Sequence, residues 1–136
     1  MGLRTLGQKR AEFALERTLM VPGDIRKDFK SLSASVPSMI LQNGFGQTLA
    51  FLLAKGTDKD LKVKDDDKHT VLFDMIKDWL SYKDDDVNND FVREAQKRHE
   101  FLRNLTELDQ TQYLSAQREA LALLEWIKRF ASAELD

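Results

Sequence analysis

The chain has 136 residues, 42% of them hydrophobic, no cysteine and a net charge of −2. That length suits one domain with one core. The lack of cysteine excludes a disulfide scaffold, a thiolate metal site and a cysteine nucleophile, and fits a reducing, cytoplasmic compartment. No apolar run reaches the length of a membrane span, because the richest segment, Met39–Ala54, is interrupted by Gln42, Asn43, Gly44, Gly46, Gln47 and Thr48. The N-terminus has no signal-peptide stretch, and Leu6 stands where a myristoylation signal needs Ser or Thr.

The small net charge hides a segregation. Residues 1–55 carry +4, residues 56–90 carry −5 and residues 91–136 carry −1. Much of the acid lies in two runs, Asp65–Asp67 and Asp84–Asp86. A basic face is therefore compatible with an acidic total, since the field near a surface follows local charge.

Hydrophobic periodicity predicts an all-α bundle of about six helices in a single domain over 1–136, with no convincing strand. Helix 1 is predicted over Leu3–Met20 and stops at Pro22-Gly23. Helix 2 spans Asp24–Ser35, with Ile25, Phe29, Leu32 and Val36 at helical spacing. Pro37 suits the first turn of helix 3, where its missing N–H costs nothing. Helix 3 runs to Lys55 and is apolar on all sides, which predicts that 37–55 is the central buried post. Gly44 and Gly46 inside it each cost about 1 kcal/mol against alanine; close helix contact accounts for them better than a backbone bared for a ligand. Residues 57–69 form a polar loop. Helix 4 covers Thr70–Tyr82 and a second acidic loop covers 83–89. Helix 5 is Asp90–Leu108, and helix 6 is Thr111–Leu135, opened by a capping box from Asp109 to Gln112.

The chemistry-bearing residue types form no catalytic pattern. His69 and His99 are the only histidines, neither Asp run has EF-hand spacing, and no Walker, G-x-S-x-G, H-E-x-x-H or G-x-G-x-x-G motif occurs. The expectation is no enzyme, no metal and no cofactor, with the Asp runs as solvated loop tips and His99 at a core boundary. The arginines are more informative. Arg10 and Arg17, seven residues apart, project into the apolar face that Leu3, Leu6, Phe13, Met20 and Val21 form on helix 1. Arg98 lies similarly among Phe91, Leu102 and Leu105. Arginine is seldom buried unpaired. Two readings therefore stand open: internal ion pairs, or an electropositive groove for phosphates. On helix 6, Glu125 and Arg129 are spaced as a surface pair, Lys128 sits at the apolar margin, and Trp126 and Phe130 pack into the core or against a partner.

One long segment carries a resemblance. Val36–Gly56, Val-Pro-Ser-Met-Ile-Leu-Gln-Asn-Gly-Phe-Gly-Gln-Thr-Leu-Ala-Phe-Leu-Leu-Ala-Lys-Gly, resembles the hallmark of the small subunit of type III-B (Cmr) CRISPR effector complexes, with Phe45 in place of the more usual leucine. Glu119-Ala120-Leu121 and Leu124–Ala131 resemble the C-terminal block of that family, Thr70–Leu80 its short middle helix, and Arg10 and Ala14 its first helix. The resemblance covers nearly the whole chain. It implies a non-catalytic, all-helical subunit whose copies stack along a guide RNA–target RNA duplex and contact neighbouring Cmr subunits, with no membrane partner. RNA contact would then be backbone-directed and indifferent to sequence, because base pairing supplies the sequence reading. The RNA-contacting candidates are Arg10, Arg17, Lys55, Arg98, Lys128 and Arg129. The alternatives are a helical protein–protein adaptor without RNA contact and a metal-dependent enzyme using the Asp runs.

Overall fold

A computed structural model describes residues 2–135. Six α-helices follow one another: α1 (Leu6–Leu19), α2 (Arg26–Asn43), α3 (Phe45–Lys55), α4 (Lys68–Leu80), α5 (Arg98–Thr106) and α6 (Gln110–Ala131). A short 3-10 turn, Gly23–Ile25, precedes α2. Among the described residues there is no strand, only isolated bridges Thr57–Val63 and Lys83–Asn88 that close the two polar loops. The all-α expectation holds.

The centre of the bundle is α4, not the 37–55 segment. Seven of its thirteen residues are buried, and it packs against each of the other five helices. Leu72, Phe73, Met75, Ile76, Trp79 and Leu80 leave almost no water-facing side except a polar strip at Asp74, Lys77 and Asp78. Each such large side chain contributes about 1.5–3 kcal/mol on full burial. The apolar 37–55 stretch instead breaks into two helices whose outer faces meet solvent. Leu41 is 72% exposed, and Phe51 is exposed as well. Apolar residues on all sides of a helical projection do not require burial on all sides when the helix is not continuous.

The break falls at Gly44 because of backbone geometry. Gly44 has φ +91, a conformation that side-chain-bearing residues rarely adopt, and its N–H still donates to the Ile40 carbonyl at 2.8 Å. Pro37 therefore does not open a helix. It sits inside α2 and forfeits its own i to i−4 hydrogen bond, while the chain turns seven residues later. Gly46 is a close-approach site: its N–H donates to Tyr113 Oη of α6 at 2.8 Å, and a Cβ there would lie 3.2 Å from that oxygen.

Helix 5 begins eight residues later than the periodicity predicts, at Arg98 instead of Asp90. Residues 87–92 are drawn to the end of α4, where the Asn89 side-chain amide donates to the Trp79 carbonyl at 2.8 Å and the Phe91 N–H donates to the Leu80 carbonyl at 3.0 Å. These bonds satisfy the orphan carbonyls of α4 and hold the segment out of helix. Helix α1 starts at Leu6 because Thr5 and Gln8 form a capping box, which leaves Leu3 outside the helix and exposed. The Asp109–Gln112 capping box of α6 is present as expected.

Candidate functional site

The three arginines on unexpected faces all resolve as ion pairs. Arg10 grips Glu119 of α6 with two hydrogen bonds, Nε to Oε2 at 2.5 Å and Nη2 to Oε1 at 2.9 Å. Glu119 is only 6% exposed, and its Oε2 also accepts the Trp79 indole N–H at 2.8 Å. This knot ties α1, α4 and α6 together. Arg17 donates to Asp78 of α4 at 2.9 Å and lies over the Phe13 ring, 5.2 Å from its centroid. Arg98 forks onto Asp74 of α4 at 2.9 and 2.8 Å and reaches Asp65 at 2.8 Å. Hydrogen bonding to Asp74, followed by the opposing effect of burial and by the bond to Asp65, leaves the Arg98 guanidinium an even weaker acid than usual.

The remaining predicted residues are more open. Lys55 is exposed, with its ammonium 6.0 Å from the Phe51 ring centroid. Lys128 lies 3.9 Å from Glu125, and so takes the partner that spacing assigns to Arg129. Arg129 is exposed with no ion pair among the described residues. Trp126 is exposed and stacks on Phe130 at 5.5 Å instead of entering the core. The six candidates do not converge on one point. Arg17 and Arg98 bind carboxylates one helical turn apart on α4, Asp78 and Asp74.

The Asp runs are solvated only in part: Asp65, Asp66, Asp84 and Asp85 are exposed, while Asp67 and Asp86 are half-buried, and several of them have structural partners. Asp67 caps α4, accepting the His69 N–H at 2.7 Å and lying 2.9 Å from His69 Nδ1. Burial pushes the Asp67 carboxyl up, but these His69 bonds more than offset it and hold the group below its ordinary value. Asp84 accepts the N–H groups of Asp86 and Val87 and pairs with Lys9 at 2.6 Å. Lys9 is 4% exposed and also binds Glu12 at 2.8 Å. Arg4 bridges Glu12 and Asp86. The hydrogen bonds from Lys9 hold the carboxyls of both Glu12 and Asp84 below their usual range, and Asp84 in turn raises Lys9. Asp runs signal solvation only when no cation reaches them, and the Lys9 and Arg98 contacts are tertiary. His99 is exposed rather than at the core boundary. Among the described residues no three His, Asp or Glu side chains are placed to share a metal ion.

Polar residues that sequence reasoning passed over line an open trough. Lys77, Gln96, Lys97 and His99 join Arg98, Asp74 and Asp78 around a groove of about 580 Å³ floored by Leu53 and Val63. A neighbouring hollow of about 470 Å³ shares Lys77, Asp78 and Gln96 and continues to Tyr82 and Lys83. No local pattern marks Lys77 and Lys97, since the late start of α5 is what brings residues 94–99 against α4.

The class these features define is an all-α bundle whose surface carries part-exposed cations, in a chain where no helix is long and apolar enough to cross a membrane. The model of the CRISPR-associated protein (Cas_Cmr5) family matches residues 6–134, and the chain belongs to that family. It is 28% identical over 135 residues to the CRISPR system Cmr subunit Cmr5 of Thermus thermophilus, covering 98% of this chain and 99% of that protein. The crystal structure of a CRISPR-associated Cmr5 family protein from Thermus thermophilus superposes with a TM-score of 0.70 at 28% identity. That match covers 98% of this chain and 100% of the other.

Proposed function

We propose that this chain is a non-catalytic subunit of a Cmr-type CRISPR ribonucleoprotein, stacking in copies along the guide RNA–target RNA duplex and contacting RNA backbone and neighbouring subunits in antiviral defence. The observation that carries the reading is family membership along residues 6–134 together with full coverage of the Cmr5 relatives. The cations available for phosphates are Lys55, Lys128 and Arg129, with Arg17 and Arg98 part-exposed beside α4. Arg10 is held in the Glu119 knot and serves the fold. Backbone contact by a few cations gives weak, sequence-indifferent affinity in one copy, and stacking on a single RNA raises effective concentration.

A second reading, a helical adaptor without RNA contact, draws support from one fact: Arg10, Arg17 and Arg98 all have carboxylate partners inside the chain. Reconstituted complexes with and without this chain separate the two. The RNA-coat reading expects the full complex to bind target RNA with a steeper salt dependence, by about one log unit per additional phosphate contact. Equal slopes would leave only the adaptor.

A further inference from the structure

We infer that Asn43 is a latent self-modification site, which converts to isoaspartate or aspartate when the last turn of α2 opens and is held inert while that turn is closed. The inference is independent of the role proposed above. Asn43-Gly44 is the one Asn-Gly step in the chain. In such a step the glycine nitrogen can attack the asparagine Cγ, because no side chain shields it. A new N–Cγ bond forms, the bond from Cγ to the amide nitrogen breaks, and ammonia leaves carrying the backbone proton. Water then opens the five-membered imide. Cleavage at the main-chain carbonyl gives isoaspartate, and cleavage at Cγ gives aspartate. One water is consumed, one ammonia is released, and nothing is oxidised or reduced.

Access does not control this reaction here. Asn43 is exposed and lines an open hollow of about 340 Å³ with Met39, Gln47, Thr48 and Phe51, so water reaches its amide. Two features of the joint block ring closure instead. The attacking group is engaged, since the Gly44 N–H donates to the Ile40 carbonyl at 2.8 Å. Asn43 is also the last residue of α2. Ring closure needs the Gly44 nitrogen to eclipse Cβ about the Cα–C bond, and a helical ψ holds the two apart in rotation. Releasing both constraints displaces core. Ile40 and Phe45, on either side, are 1% and 0% exposed, and the Gly46 N–H is tied to Tyr113 Oη at 2.8 Å. The other asparagines lack the combination. Asn88, Asn89 and Asn104 precede residues whose side chains crowd the attacking nitrogen, and Asn89 and Asn104 are buried with their amides bonded. Conversion at Asn43 matters to the fold. Isoaspartate adds a main-chain atom at the joint where Gly44 turns the chain, and aspartate adds negative charge at the C-terminus of α2, where the helix dipole disfavours it.

The test incubates the purified full chain in mildly alkaline buffer, native and in denaturing urea, and follows each asparagine by peptide mass spectrometry with isoaspartate labelling. Conversion at Asn43 should be about tenfold to a hundredfold slower in the native chain, the factor by which a local opening equilibrium withholds the reactive form. In denaturant Asn43 should convert faster than Asn88, Asn89 or Asn104. Tyr113→Phe removes the acceptor for the Gly46 N–H and should speed native conversion about threefold to tenfold, with the denatured rate unchanged. Circular dichroism and melting show that this variant folds, and Asn43→Gln should abolish the labelled product at this position. Equal native and denatured rates would overturn the gate. So would a folded Tyr113→Phe chain that converts at the wild-type native rate. A denatured chain in which Asn43 reacts no faster than the other asparagines would remove the site itself.

Discussion

The Arg10–Glu119–Trp79 knot and the Arg98–Asp74–Asp65 cluster use the same chemistry in different surroundings. Each places an arginine fork on a carboxylate, with distances between 2.5 and 2.9 Å. The first lies between three helices, where Glu119 has almost no solvent. The second lies along an open trough, where Asp65 is 84% exposed. A buried pair is weak evidence of net stabilisation, yet it is costly to break, because the survivor keeps its charge in a low dielectric. An exposed pair is screened by water and salt and contributes little. Ion-pair geometry alone therefore does not separate a structural arginine from one available to a ligand; burial does.

The largest effect expected from this contrast is at the knot. Glu119→Ala strands Arg10 and the Trp79 indole N–H together and should cost about 3–5 kcal/mol. Thermal unfolding of the isolated chain should show it as a drop of roughly 10 °C or more. A loss of less than about 1 kcal/mol would mean that Arg10 swings to solvent and that the site is not buried in the energetic sense.

An intermediate case joins α1 to the second Asp run. Glu12 and Asp84 titrate below their ordinary values in the folded chain, so what they contribute is complete above the normal carboxylate range and is lost as pH falls through the lowered values. Lys9 is shifted upward, so its share persists at neutral pH and fades only at strongly alkaline pH. Melting curves of wild type and Lys9→Ala should therefore differ at pH 7 and converge only at pH values below the ordinary carboxylate range, where Glu12 and Asp84 protonate in the folded chain. A difference that stays constant even there would assign the loss to side-chain packing alone.

The smallest effect is expected at the rim of the trough. Asp65→Asn removes one exposed partner while Arg98 keeps both bonds to Asp74, and the change in denaturant midpoint should correspond to less than about 0.5 kcal/mol. A cost matching that of Glu119→Ala would erase the distinction drawn between the two arginine sites.

Helix content, the capping box at Asp109, the apolar stripe of α4 and the family motif at Val36–Gly56 were all legible in the sequence, because each depends on residues within a turn or two of one another. The position of Arg10, Arg17 and Arg98 on otherwise apolar faces was legible as well, and it correctly demanded either a partner or an opening. Which of the two applied was not legible. Glu119 is 109 residues from Arg10, Asp78 is 61 from Arg17 and Asp74 is 24 from Arg98. Pairing over such separations follows from helix packing, which periodicity does not encode.

Tertiary structure also decided three matters of shape. Gly44 was visible as a costly glycine, but only its positive φ makes it the turn, and this moves Pro37 into the middle of α2. The segment at 90–97 has residues a helix would accept, yet the unfilled carbonyls at the end of α4 capture Asn89 and Phe91 first, so α5 starts at Arg98. That delay lays residues 94–99 against α4 and opens the trough. Local sequence determines which backbone conformations are inexpensive, and competition for hydrogen bonds and burial across the assembled bundle selects among them.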